Sequence, residues 1–126
     1  MARSTVRFSL PSIADVTDAI YTHWNSQHLA ALECTQDSEY GPGNPEADTY
    51  LDVRVWARDT TEGFHRSHGI EFGDVQYDTT HGDVCASGCF DLTEEPTLKA
   101  SRKIARELCA ELRAQAAEFR ANHEGR

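Results

Sequence analysis

Five side chains able to bind metal or act as nucleophiles crowd into one stretch of the chain: His65, His68, His81, Cys85 and Cys89. They read H-x2-H, then twelve residues, then H-x3-C-x3-C. Zinc takes tetrahedral nitrogen and sulfur ligands, commonly from a close C-x2-C knuckle, and that knuckle is absent here. Residues 84–91 alternate as a strand would. Cys85 and Cys89 would then lie roughly 13 Å apart, whereas two thiolates on one zinc lie within about 4 Å. Half-buried strand thiols are therefore the expectation, and no metal or cofactor is assigned. A zinc-binding protein, structural or catalytic, is the alternative. It would use His81, Cys85 and Cys89 with His65 or His68, and would require a turn at Ala86-Ser87-Gly88.

A thiol nucleophile would need Cys85 or Cys89 beside a histidine base, and spacing does not place one there. Acidic pairs such as Asp15/Asp18, Asp74/Asp78 and Glu94/Glu95 arise readily by chance among 21 carboxylates. Gly69, Gly73 and Gly82 form neither a P-loop nor a G-x-G-x-x-G fingerprint. No catalytic residue is assigned, and the chain is expected not to be an enzyme.

These residues sit in a readable series of elements. Val6, Phe8 and Leu10 alternate with polar neighbours, which predicts a strand over 3–10 ended by Pro11. Ser12 with Asp15 resembles a capping box, and Ile13, Val16, Ile20 and Trp24 mark one face of a helix over 12–32. Residues 35–48 hold two prolines and two glycines and read as a long loop. Leu51, Val53, Val55 and Ala57 predict a strand, and the turn at 59–63 leads to a return strand from Phe64 toward Ile70 or Phe72. A short extended piece follows at Val75–Tyr77. Val84, Ala86, Gly88 and Phe90 give the next strand, so 49–91 reads as an antiparallel meander. Ile104, Ala105, Leu108, Cys109, Leu112, Ala116 and Phe119 line one face of a last helix, 97–121. His23, Trp24 and Cys109 read as packing residues. The expected architecture is one α+β domain over 1–126, ordered β-α-β-β-β-α. Two helices cover an antiparallel sheet of three to four strands.

Charge is divided along this chain. Residues 1–96 carry five arginines and 17 carboxylates, net −12, whereas residues 97–126 carry seven cations and four carboxylates, net +3. The total of −9 disfavours sequence-independent binding to a phosphate backbone, so direct nucleic-acid binding is not expected. It suits a basic protein partner, and the basic helix could meet an acidic surface, including that of a second copy in a homodimer. The alternating start has no apolar h-region, and no run of about 18 apolar residues exists to cross a membrane. Reduced cysteines in a cytoplasm follow as the expectation.

One segment carries a resemblance. Gly73-Asp-Val-Gln-Tyr-Asp-Thr-Thr-His-Gly82 is similar to the G-D-x-x-Y-D-x-x-H segment of a group of short proteins encoded by bacteriophages and mobile elements. The match takes in Asp52–Val55, Gly73, Asp74, Tyr77, Asp78, His81, Gly82, Ala86, Ser87 and the helix from Thr97, covering about 50–120. The first turn is longer here, and Thr79-Thr80 stands where an acidic residue is commoner. The resemblance implies a phage-type accessory protein and an anti-defence role, for example anti-CRISPR. Read from the residues alone, Asp74 and Asp78 would close a turn by accepting backbone N–H bonds, with Tyr77 packed beneath it and His81 bonded to it.

The expected function is a non-enzymatic inhibitor or adaptor whose acidic surface occupies a basic, nucleic-acid-binding site on a partner. The candidate contacts are Glu39, Glu46, Asp74, Asp78, Asp83 and Asp91.

Overall fold

Each helix begins where a hydroxyl satisfies an amide that the first turn leaves free. Ser12 Oγ accepts from the Asp15 N–H at 3.0 Å, and Thr97 Oγ1 from the Ala100 N–H at 3.0 Å. Helix α1 spans Ile13–Asp37 and α2 spans Leu98–Glu124. Between them lie β1 (Tyr50–Ala57), β2 (His68–Phe72) and β3 (Val84–Asp91). The class is α+β, with a three-stranded antiparallel sheet and the order α-β-β-β-α. This computed structural model describes residues 6–37, 49–61, 66–73 and 82–124. Of the loop expected over 35–48, residues 35–37 belong to α1 and 38–48 lie outside the described residues, as do residues 64–65 of the return strand and the piece at Val75–Tyr77.

The sheet is not the expected meander. Its spatial order is β2-β1-β3, with Val55 opposite Ile70 on one side and Ala86 on the other. Strand β1 takes the centre because its second half is buried on both faces: Val53, Val55 and Ala57 beneath the helices, and Trp56 on the opposite face. Both neighbours run antiparallel to β1 and so parallel to each other. Strand β2 ends beside Val53 and β3 begins beside Ala57, so the two are not adjacent arms of a hairpin. Gly73 and Gly82, at φ of 76° and 74°, stand at the exit and re-entry. A Cβ at Gly82 would also meet the Ala57 carbonyl oxygen at 2.8 Å.

The strand expected over 3–10 is reduced, among the described residues, to a single bridge between Phe8 and Asp59. Both edges of β1 are already taken, so this segment pairs only beyond its end. There the Thr60 N–H reaches the Arg7 carbonyl at 2.7 Å, and His68 Nδ1 reaches the Ser9 carbonyl at 2.8 Å. Helix α1 also runs five residues past its expected end, because no proline or glycine interrupts 33–37.

The two helices run antiparallel on one face of the sheet. The Cys109 thiol lies 3.8 Å from the Pro11 carbonyl before α1, and Trp24 Nε1 donates to the Glu94 carbonyl before α2 at 3.0 Å. Val16, Ile20 and Trp24 meet Ala105, Leu108, Cys109 and Leu112 over Val53, Val55 and Phe90 in one core. Ser101 is the odd member: it is fully buried, and its Oγ has no partner among the described residues. A buried hydroxyl without a partner carries an uncompensated desolvation cost. Ser101→Ala is therefore expected to stabilise the fold by about 1 kcal/mol, read as a raised urea midpoint at unchanged slope.

Candidate interaction surface

Among the described residues, the side chains with recognisable chemistry are not brought together. Strand β3 runs unbroken through Ala86–Gly88, so Cys85 and Cys89 stay four strand residues apart, as the spacing required. Both face away from the helices. Cys85 is half-buried, with Arg54 Nη2 donating to its sulfur at 3.5 Å, and Cys89 is exposed opposite Asp52. His68 pairs with Ala57, whose side chain belongs to the helix-covered face, so its ring is on the other side of the sheet from both thiols. His65 and His81 lie outside the described residues. Among the described residues, no group of three or more His, Cys, Asp or Glu is placed to hold a metal ion. Cys109 is buried, which pushes its thiol pKa up despite the nearby Arg113 charge, and it packs in the core as expected. His23 stacks on Phe72 at 4.3 Å with 9° between ring planes, and burial there lowers its pKa.

Four of the six expected contacts, Glu39, Glu46, Asp74 and Asp78, lie outside the described residues, as do Tyr77 and His81 of the phage-like segment. The other two already have internal work. Asp83 Oδ2 accepts the Asp59 N–H at 2.8 Å. Asp91 Oδ1 accepts the Thr93 N–H at 3.0 Å and the Thr93 hydroxyl at 2.8 Å, closing the turn after β3. Asp59 closes the turn after β1 in the same way, accepting from the Arg7 N–H at 3.1 Å, the Thr61 N–H at 2.9 Å and the Thr61 hydroxyl.

These turn-closing bonds predict an acid limb. Burial pulls Asp59 and Asp91 upward, but hydrogen bonds from Thr61 and Arg7, and from Thr93 and Thr49, prevail and hold both carboxyls below their ordinary value. Their contribution is then complete above the unfolded value of about 3.9 and is lost as pH falls through the lower folded values. Urea midpoints should drop below about pH 4. The Asp59→Asn/Asp91→Asn variant, less stable at neutral pH, should show a shallower drop; an equal slope would remove these two carboxyls as the cause.

Among the described residues, a further set of outward carboxylates lies on α1. Helix α1 carries Asp15, Asp18, Glu33 and Asp37 and no lysine or arginine. Asp15, Asp18, Thr22, Ser26, Leu29 and Glu33 recur at steps of three and four, share one face, and are all exposed. Leu29, 70% exposed, stands as an apolar side chain within that acidic stripe. The signal lies in the spacing over the whole helix, which neither the Ser12/Asp15 cap nor the Asp15/Asp18 pair reveals by itself. The cations gather on α2, where Lys99, Arg102, Lys103 and Arg106 are exposed along a hollow of about 590 Å³. No helix among the described residues is long and apolar enough to cross a membrane. Comparison of the chain with protein-family models, curated proteins and solved structures gives no match.

Proposed function

We propose that this protein is a non-enzymatic inhibitor or adaptor, of the kind that phages and mobile elements encode against host defence, which sets an acidic surface against a basic site on a partner protein. The observation that supports this reading is the exposed face of α1, which presents Asp15, Asp18 and Glu33 on a 25-residue helix with no lysine or arginine. Opposed charge speeds encounter with a basic site, and one exposed leucine among the carboxylates supplies an apolar contact once the surfaces meet. A site that normally holds nucleic acid is the fitting target, because its cations are spaced for phosphates and accept carboxylates in their place.

The test is capture of partners from host lysate with wild-type protein and with the Asp15→Lys/Asp18→Lys/Glu33→Lys variant, at low and high salt. The expected result is a basic partner held by the wild type, with an on-rate that falls roughly tenfold or more in the variant and at high salt. A partner captured equally by both proteins and indifferent to salt would overturn the reading.

A further inference from the structure

We infer that the outward face of α2 pairs, in parallel and in register, with the same face of a second copy of this chain. The surface is separate from the acidic face of α1 and does not depend on the function proposed for it. Away from the core, Ala110, Ala114, Ala117 and Ala121 are exposed at steps of four, three and four. Those steps keep them on the seam of a seven-residue repeat. Along one flank of that seam a cation stands at every seventh residue: Lys99, Arg106, Arg113 and Arg120. Along the other flank Glu111 and Glu118 stand seven apart, both exposed.

Flanking charges decide the orientation of paired helices. In a parallel pair, each flank residue meets the opposite flank of its neighbour five positions further on. Arg106 then faces Glu111 of the second copy, and Arg113 faces Glu118 of the second copy, each contact made twice by the two-fold symmetry. An antiparallel pair would oppose arginine to arginine and glutamate to glutamate. The face is therefore complementary to itself in one orientation. Among the described residues Arg113 bonds only through Nε, donating to the Cys109 carbonyl at 3.4 Å, which leaves both Nη groups for a carboxylate. Arg120 is turned to the Phe8 ring, 5.7 Å away, and takes no part.

The rest of the fold permits this approach. The buried stripe of α2, including Ala105, Leu108 and Leu112, points the opposite way, so the two bodies fall on either side of the helix pair. The hollow along Lys99, Lys103 and Glu107 leaves room at the first half of the same face. There, Lys103 and Glu107 occupy the seam, where a parallel pair in register sets each against the same residue of the second copy, so close contact is confined to the alanines and this first half stays apart in solvent. An alanine seam buries little apolar area, so the ion pairs dominate and the pair is sensitive to both salt and concentration.

Sedimentation equilibrium of the full chain tests the proposal, with two charge-reversed variants checked for folding by circular dichroism. Arg106→Glu/Arg113→Glu makes both flanks acidic, and Glu111→Lys/Glu118→Lys makes both basic. Wild type should dimerise in low salt. Each variant alone should self-associate more weakly by on the order of thirtyfold, and an equimolar mixture should restore the dimer. Orientation is read from disulfide cross-linking of Ala110→Cys and, separately, Ala121→Cys, in a background where Cys34, Cys85 and Cys89 are serine. A parallel pair joins at both positions, whereas an antiparallel pair joins at one at most. Wild type that stays monomeric to its solubility limit, variants that dimerise as well as wild type, or cross-linking at only one position would overturn the proposal.

Discussion

Trp24→Ala is expected to cost about 3–5 kcal/mol, a large share of the 5–15 kcal/mol that typically holds a domain folded. Trp24 is 2% exposed on the core face of α1, with its ring 4.9 Å from that of Phe90. Its indole N–H donates to the carbonyl of Glu94, four residues before α2 begins. One side chain thus joins α1, β3 and the start of α2. Trp24→Phe separates the contributions. Phenylalanine keeps most of the packing and loses the hydrogen bond, and Glu94 is exposed, so water can take up its carbonyl. The phenylalanine variant is therefore expected to lose about 1–2 kcal/mol, and the alanine variant at least twice that. Denaturant midpoints check the order. Equal losses would mean that the hydrogen bond, rather than the ring's volume, secures the joint.

The particular residues show why some elements were legible in the sequence and others were not. Helix α2 was readable because its apolar positions repeat with the helical period and its first turn has a threonine cap, both local properties. Strands β1 and β3 declared themselves by alternation. Their neighbours did not, because alternation gives the buried face of a strand and not its partner on either side. The one available hint was Val55-Trp56-Ala57, an apolar run that breaks the alternation of β1 and marks a strand covered on both faces. The Phe8 segment misled for the opposite reason: its alternation is real, but β1 had no free edge left for it.

The candidate site was legible in its charge and not in its place. The division into an acidic body and a basic last helix follows from counting, and the cations of α2 do stand exposed. Conspicuous carboxylates in loops and turns are not thereby free ones. Asp83 and Asp91 are instead acceptors for the turns around them, which is what short acidic side chains do where a chain reverses. Among the described residues, Asp15, Asp18 and Glu33 face outward together on α1, at helical spacing.

Gly69→Ala should destabilise the protein by about 2–3 kcal/mol, although nothing in the backbone at that position demands glycine. Gly69 lies within β2 without a positive φ, and a strand interior ordinarily gains about 0.5–1 kcal/mol when glycine becomes alanine. The obstacle is the Trp56 ring, which lies across the glycine from the facing position on β1. A Cβ at Gly69 would sit 2.5 Å from Trp56 Cζ2 and 2.6 Å from Cε2. The ring has little freedom to retreat, being 5% exposed with the Arg58 guanidinium 5.4 Å from its centroid. The expected result is a change of sign in a double-mutant cycle. In wild type Gly69→Ala costs stability, but in a Trp56→Ala background the same substitution should be neutral or stabilising, with a coupling of about 2–3 kcal/mol. Additive losses would show that the ring does not set the requirement for glycine, and that the outer face of the sheet is held together by other contacts.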